Sequence, residues 1–368
     1  MHSLGRHIYI YYRKHFHDEM LGEEQDILYE KLFRMFLGYI FVVSPFYLLL
    51  PKLFLFETKI NKKEMIRLLL KLGWWASIHS EQIKNGFAFK LICKIIKLFC
   101  ISLIEIICWM KFRVLHISPP SLVDDMTKPI VSLTSFPARI NAVWMVLISM
   151  FYQTHQPGKI WLILTEEEFP KGKSSLPKSL LRMEKVGVEI FFIPYNLKPH
   201  NKYYYALSMV NDRDVITIDD DLFYWDNTIE RLYKLKEKHP GLICANMALQ
   251  ILKDGDKFCY KRVTSHACGH SLMAQGVGAV LYPSQFRTKN LFNQKDIVKL
   301  CISNDDNWLK ANEILADVKV CTNGVYPHPM PLLKSQRYAL WKKNIPNGRS
   351  LKITKALLKY YNIENEIL

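Results

Sequence analysis

The stretch Val215-Ile-Thr-Ile-Asp219-Asp-Asp221 places three carboxylates directly after a short apolar run. Like charges at this spacing repel one another, so the cluster costs stability unless a cation offsets it. Divalent cations such as Mg²⁺ take oxygen ligands and are commonly held by one or two carboxylates together with substrate phosphates. The stretch therefore favours a strand that ends in a metal site. The alternative is a solvated acidic turn that caps a helix near Asp226.

The residues around this stretch alternate between short apolar runs and segments with helical periodicity. Alternation of this kind argues for βα units and a largely parallel sheet, and hence for an α/β domain. Ligands of such sheets bind at the carboxyl ends of the strands, near the point where the strand order reverses. The polar residues that follow strands are therefore the candidates for function. The predicted elements are strands 129–134, 159–165, 188–193 and 214–218 and helices 141–152, 176–186 and 202–210.

A second acidic pair, Asp305-Asp306, precedes another helical pattern. Asp and Asn favour the N-terminal turns of helices, so capping is one interpretation. A carboxylate beside a bound cation can also take the proton from an attacking hydroxyl, which would make one of the pair a general base. Both roles are compatible, with one Asp for each task.

Gly276 and Gly278 lie between the two acidic clusters, in a stretch that runs from Gln275 to Pro283 (QGVGAVLYP). Glycine lets the backbone approach a ligand closely or adopt a positive φ. The pair is not a dinucleotide fingerprint, because the further glycine and the following helix are missing. A ligand-lining strand and a bulged strand entry are both open interpretations.

Composition and charge set the broad class. The chain has 368 residues, of which 49% are hydrophobic and 23% are charged. This excludes wholesale disorder. The net charge of +16 attracts polyanions such as anionic lipid, nucleic acid or phosphorylated small molecules. We find no recognised nucleic-acid module and expect no nucleic-acid partner.

The eight cysteines include no Cys-x-x-Cys pair, so we expect no disulfide framework and mostly buried, reduced thiols in a cytoplasmic setting. The N-terminus lacks a continuous apolar signal core, which predicts no secretory signal peptide. His266-Ala-Cys268-Gly-His270 could bind a soft metal such as zinc, but no second ligand cluster has suitable spacing. The preferred interpretation is a mobile loop that binds an acceptor, meaning a second substrate to which a group is transferred.

Residues 1–120 differ from the rest, being apolar, helical in pattern and basic, with 17 Lys and Arg against 10 Asp and Glu. The uncharged run 35–51 is shorter than the about 20 residues that a spanning helix needs. It also contains two prolines, which kink or end helices. We expect association with an anionic membrane surface, peripheral or re-entrant. The alternatives are a helical subdomain that packs on the main domain and, less favoured, a true membrane span.

Ser118-Pro-Pro120 breaks any helix and predicts a linker. The expected organisation is therefore a helical region at 1–120, an α/β domain at 128–330 and a basic tail at 331–368.

Four short motifs, in order, resemble bacterial glycosyltransferases of the GT-A type over about residues 129–330. The resemblance does not cover residues 1–120. It implies a Rossmann-like domain that binds a nucleotide sugar. The motifs are Ser132-Leu-Thr-Ser-Phe-Pro-Ala-Arg139-Ile, the triplet followed by Tyr224, Gly276-Val-Gly-Ala-Val-Leu-Tyr-Pro283 and Asp305-Asp306-x-Trp308.

The resemblance also implies roles for individual residues. Asp219 and Asp221, with His328 as a further candidate, would hold Mn²⁺ or Mg²⁺. One of Asp305 and Asp306 would be the general base, with Asp306 preferred. The residues implied in binding the nucleotide sugar are Thr134, Arg139, Lys202, Asp219, Asp220, Gly276 and Gly278.

The implied activity is a metal-dependent, inverting transfer of a sugar from a nucleotide-sugar donor to a saccharide or lipid-linked saccharide acceptor. It would take place at the cytoplasmic face of the inner membrane. One alternative is a phosphohydrolase with an Asp nucleophile, since a strand followed by Asp-x-Asp also occurs in that chemistry. Against it, Leu-Phe and not Thr follows the triplet. Another alternative is a non-catalytic, membrane-associated assembly protein.

Overall fold

The structure is a computed structural model that describes residues 62–82, 87–254, 257–324, 329–333, 335–338 and 349–367. The uncharged run 35–51 and the candidate ligand His328 lie outside these residues. Residues 66–368 form one compact unit.

The helices are found on both sides of the predicted linker. None of the described helices is long and apolar enough to cross a membrane. Their bounds are α1 Lys62–Gln82, α2 Phe87–Cys108, α3 Val143–Phe151, α4 Lys178–Leu181, α5 Asn201–Met209, α6 Thr228–Lys238, α7 Gln294–Asp296, α8 Asp305–Leu315 and α9 Arg349–Tyr360.

The strands follow the predicted alternation up to the acidic triplet. Their bounds are β1 Ile130–Thr134, β2 Lys159–Thr165, β3 Val188–Ile193, β4 Val215–Thr217, β5 Leu222–Phe223, β6 Ile243–Ala245, β7 Ala248–Asp254, β8 Lys257–Arg262, β9 Ala267–Gly269, β10 Leu272–Ala274, β11 Val280–Tyr282, β12 Val320–Thr322 and β13 Met330–Pro331. After the triplet, most strands have two or three residues, β7 and β8 are longer, and antiparallel pairing is more frequent.

The main sheet has eight strands in the order β3-β2-β1-β4-β11-β6-β12-β9. The first four are parallel, β11 is antiparallel to both of its neighbours, and β9 is antiparallel to β12. From β1 the chain adds β2 and β3 on one side and then returns to add β4 on the other. The strand order therefore reverses between β1 and β4. The predicted α/β class is confirmed, and the parallel arrangement holds for the half of the sheet that contains this reversal.

The central strands β1, β2 and β4 are buried at almost every position, which explains why they are continuous apolar runs. Every residue of α3 is buried, and α5 packs against β1, β2 and β4. Strands β2 and β3 have the predicted bounds. The predicted helix 176–186 is wrong as one element, because it forms α4 and a 3₁₀ segment, Arg182–Val186. The buried residues of the 3₁₀ segment are Met183 and Val186, and their spacing by three suits the 3₁₀ repeat.

One disulfide joins Cys268 on β9 to Cys321 on β12. The expectation of reduced thiols is wrong for this pair. The two residues are directly opposite in an antiparallel ladder, where cross-strand α-carbons come close together. They are separated by 53 residues along the chain, so their spacing does not reveal the pairing. The other six cysteines are free, and all but Cys259 are buried.

Candidate active site

The acidic triplet lies at the carboxyl end of β4, beside the reversal in strand order. Ile218 still donates its amide to the carbonyl of Ser132 in β1, at 3.0 Å. The next amide, that of Asp219, donates to the hydroxyl of Tyr224 at 2.8 Å. The buried Tyr224 therefore fixes the backbone where the carboxylates begin.

Arg139 ties the loop after β1 to the triplet. Its Nη1 donates to Oδ1 of Asp220 at 2.5 Å, and its Nη2 lies 3.0 Å from Oδ2 of Asp221. The hydroxyl of Ser135 donates to the other oxygen of Asp220, also at 2.5 Å. Both oxygens of the buried Asp220 thus have protein partners, and the guanidinium is held in place by two carboxylates.

Lys202 brings the two acidic clusters together. Its Nζ lies 2.6 Å from Oδ1 of Asp219 and 2.9 Å from Oδ2 of Asp305, and its side chain is 5% exposed. Ser132 of β1 positions it, because the Ser132 hydroxyl donates to the carbonyl of Lys202 at 2.6 Å. Burial alone would lower the pKa of Lys202, but the surrounding carboxylates raise it well above its ordinary value. The residue is therefore a permanent cation.

Asp305 and Asp306 form the first turn of α8, yet neither caps it. The cap is Asn304, whose side chain accepts from the amide of Asn307 at 3.3 Å. Asp306 accepts from the amide of Gly276 at 3.1 Å. Burial, with the charge of Asp305 adding to it, raises the pKa of Asp306 to about 8. Both carboxylates thus lie in the charged cluster and are not needed as helix caps.

The two glycines have different surroundings. A Cβ on Gly276 would lie 3.1 Å from both Oδ1 of Asp306 and Nζ of Lys202 and 3.8 Å from Oδ1 of Asp219. These three charged atoms therefore surround one point. A Cβ on Gly278 would instead meet the side chain of Met247 at 2.8 Å. Gly276 belongs to the cluster, whereas Gly278 allows close packing in the 3₁₀ turn before β11.

Among the residues that the structure describes, this cluster holds five carboxylates and two cations, so their negative charge exceeds their positive charge. Burial and the negative charges of the neighbouring carboxylates raise the pKa of Asp221 to about 7, whereas the positive charge of Arg139 opposes this rise. The side chain of Asp219 is 30% exposed, more than that of Asp220, Asp221 or Asp305. An excess of carboxylate oxygens, one of them accessible, fits a hard divalent cation such as Mg²⁺ or Mn²⁺.

Sequence reasoning missed His200, which is fully buried next to Lys202. Its ring nitrogens lie 2.9 Å from the hydroxyl of Tyr203 and 2.9 Å from the carbonyl of Cys301. Burial lowers the pKa of His200 to about 4, so the ring is neutral. It links the start of α5 to the segment that leads into α8. A lone histidine before a helix gives no sequence signal of this role.

Most of the predicted site residues come together, but not all of them. Thr134 lies at the end of β1, where its hydroxyl donates to the carbonyl of Ile163 at 2.8 Å. Ser132 and Ser135, which hold Lys202 and Asp220, were missed as individual residues. The only signal was their position as polar residues in and after an apolar strand. The residues that the structure brings together are Arg139, Lys202, Asp219, Asp220, Asp221, Gly276, Asp305 and Asp306.

The three residues of the candidate soft-metal site, His266, Cys268 and His270, do not form one group of possible ligands. His270 lies 3.0 Å from the carboxylate of Asp317. Cys268 and His266 instead come close to His239, with possible ligand atoms within 4.8 Å of one another. The sulfur of Cys268 is bonded to that of Cys321, so it is not available as a thiolate ligand.

No family model matches the chain, and no curated protein matches it in sequence. Solved structures with some similarity include S. aureus TarS, at 9% identity and a TM-score of 0.35 over 65% of this chain and 73% of that one. TarS in complex with UDP gives 10% identity and a TM-score of 0.36 over the same shares. A CMP:2-keto-3-deoxy-manno-octonic acid synthetase with CTP gives 9% identity and 0.36, over 64% of this chain and 100% of that one. Similarity at this level does not assign the chain to a family.

Proposed function

We propose that the protein is a metal-dependent, inverting glycosyltransferase. It would transfer a sugar from a nucleotide-sugar donor to a hydroxyl of a saccharide or lipid-linked saccharide. One observation carries the proposal: carboxylates from two distant segments, 219–221 and 305–306, converge on Lys202 at the carboxyl end of parallel strands. This is where open α/β sheets bind their ligands.

Asp219 and Asp221 would hold the Mn²⁺ or Mg²⁺ that accompanies the donor diphosphate. When bound, the cation would neutralise negative charge that develops on the leaving diphosphate. Lys202 supplies a second, permanent positive charge at the same place. Arg139 is already held by Asp220 and Asp221, so its role is to keep the loop after β1 in position for the nucleotide.

Asp306 is the better placed of the two candidate bases. Asp305 is paired with the ammonium of Lys202, which would weaken it as a proton acceptor, whereas Asp306 accepts one hydrogen bond from a backbone amide. In the transfer, the acceptor oxygen forms a bond to the anomeric carbon as the bond from that carbon to the diphosphate breaks. The hydroxyl proton passes to Asp306. A carboxyl whose pKa lies near the working pH suits this task.

The proposal is tested by a screen of nucleotide sugars for hydrolysis and transfer with Mn²⁺ or Mg²⁺. The wild type is compared with Asp221→Ala and with Asp212→Ala, an exposed carboxylate outside the cluster. We expect Asp221→Ala to lose most of its activity and Asp212→Ala to keep it. Equal activity of Asp221→Ala and wild type would remove the proposed metal site. Phosphatase activity without any sugar donor would favour the Asp-nucleophile alternative.

We also propose that the protein works at the cytoplasmic face of the inner membrane, where an anionic surface would be its partner. The net charge of +16 supports binding to an anionic surface. If the association is peripheral, high salt releases the protein from a membrane fraction, whereas retention at high salt would point to an integral attachment.

A further inference from the structure

Exposed apolar side chains are concentrated in and after helix α2. Of the sixteen large hydrophobic residues that are exposed in the described part of the chain, ten lie between Leu91 and Met126. The rest are scattered singly over other elements. Scattered apolar residues are ordinary on a protein surface, but a concentration of them marks a surface that contacts a partner or a membrane.

The exposed residues of α2 share one face. At 3.6 residues per turn, Leu91, Ile95 and Leu98 fall within a narrow arc, and Trp109 continues it where the helix passes into a π-helical turn. Their exposures are between 44% and 53%. The opposite face is buried in the protein and consists of Cys93, Ile96, Cys100 and Ile104. The first half of helix α2 thus has a second apolar face where a surface helix is normally polar. In its second half the same arc carries Ser102 and Glu105, and Glu105 accepts from the amide of Leu333 at 2.7 Å. We call Leu91, Ile95, Leu98 and Trp109 the outer stripe.

Positive charge accompanies the outer stripe. Residues 62–120 contain ten Lys and Arg but only three Asp and Glu, so they carry the whole net charge of +7 found in residues 1–120. Residues 1–61 contain seven of each and are neutral overall. Lys94 is exposed and lies between Leu91 and Ile95 in the chain, and Arg113 is exposed in the π-helical turn that begins at Trp109. A basic surface complements an anionic partner. Segment 1–61 is neutral overall, so it is not the partner that this surface favours.

A small basic cavity lies at the end of α2. Arg113, His116 and Arg182 line it together with Ser179, whose hydroxyl accepts from Nη1 of Arg113 at 2.7 Å. The exposed side chains of Val114, Leu115 and Ile117 are adjacent to it in the chain. Guanidinium groups beside apolar side chains suit a lipid headgroup phosphate whose acyl chains lie next to it.

We propose that the outer stripe of α2 docks on an anionic lipid bilayer, with the helix parallel to the membrane plane. An apolar face bordered by basic residues binds membranes in this orientation, and tryptophan is favoured at the boundary between headgroups and acyl chains. The proposal names the surface through which the suggested membrane partner is bound. It does not depend on the chemistry proposed for the carboxylate cluster.

The test is co-sedimentation of the full chain with vesicles of phosphatidylcholine alone or mixed with phosphatidylglycerol. We expect wild type to bind the mixed vesicles more tightly. The variant Leu91→Gln/Ile95→Gln/Leu98→Gln should bind them at least about tenfold more weakly. The matched control, Met209→Gln/Val298→Gln/Leu315→Gln, changes three exposed apolar residues elsewhere and should bind within about twofold of wild type.

A second pair of variants tests charge. Lys94→Glu should weaken binding to the mixed vesicles about fivefold or more, whereas Lys238→Glu, which reverses another exposed lysine, should have little effect. The proposal is overturned if wild type fails to bind the mixed vesicles, or if the stripe variant binds like wild type. It is also overturned if the stripe variant only dissociates a dimer seen by light scattering, because the partner would then be a second copy of the chain.

The two proposals can fail separately. The stripe variant should keep wild-type hydrolysis of a soluble donor, and Asp221→Ala should keep wild-type vesicle binding. Loss of vesicle binding in Asp221→Ala would show that this variant is unfolded, and circular dichroism of both variants checks for that.

Discussion

Helix α8 contributes residues to two groups of buried charges. Cations and anions are equal in number in one group and unequal in the other. Lys310 and Glu313 are each 1% exposed and lie 3.3 Å apart, one cation against one anion. At the start of the same helix, Asp305 and Asp306 join three further carboxylates, and the cations that pair with them among the described residues are Lys202 and Arg139. The balanced pair needs no ligand. The unbalanced cluster retains negative charge that a bound cation could neutralise, so charge imbalance distinguishes a candidate site better than burial does.

The largest effect is expected from removing the proposed base in the unbalanced cluster. Asp306→Asn keeps the shape of the side chain but cannot accept the proton, so the transfer rate should fall by about 10²–10⁴-fold. Steady-state kinetics with the donor identified in the screen measures this, and Asp212→Asn is the control. If Asp306→Asn remained active while Asp305→Asn did not, the base would be Asp305.

The balanced pair should affect stability and not transfer. Lys310→Met leaves the buried Glu313 without its partner, which should lower the free energy of unfolding by about 3–5 kcal/mol. The double variant Lys310→Met/Glu313→Leu should recover most of that loss, because two apolar side chains need no partner. Urea denaturation followed by circular dichroism measures both. A double variant no more stable than the single one would show that the pair has a role beyond neutralising itself.

The smallest effect is expected in the pH dependence of the unbalanced cluster. Asp221 and Asp306 keep their protons up to about pH 7 and about pH 8 in the folded protein, whereas in the unfolded chain they lose them near pH 4. The folded state therefore binds more protons between these limits. Without metal, the contribution of these groups to stability falls as the pH rises through this range.

A divalent cation should reverse this trend, because it binds the ionised carboxylates. Mn²⁺ is expected to stabilise the protein by about 1–2 kcal/mol more at pH 8.5 than at pH 6.5. Thermal unfolding with and without Mn²⁺ measures the difference, and Lys310→Met/Glu313→Leu should respond as the wild type does. The same Mn²⁺ response at both pH values would contradict a site built on Asp221 and Asp306.

The sequence predicted strands β1 to β4 closely because each is a buried apolar run between clear breaks. It was less successful after the triplet, where most strands have only two or three residues and so no periodicity to detect. It left helix capping by Asp305 or Asp306 open as an alternative to a catalytic role, but the cap is Asn304, one residue earlier. The Cys268–Cys321 bond was also missed, since a cross-strand pairing is not visible in residue spacing.

The sequence by itself determined the α/β class, the place of the acidic triplet after a strand and the basic, apolar character of residues 1–120. These follow from local periodicity and composition, which need no knowledge of distant contacts. Only the tertiary structure decided that Lys202 lies between Asp219 and Asp305, that Gly276 and not Gly278 belongs to the charged cluster, and that α2 keeps an apolar face exposed. Each depends on which surfaces meet when the chain folds, and residues that are far apart in sequence determine that together.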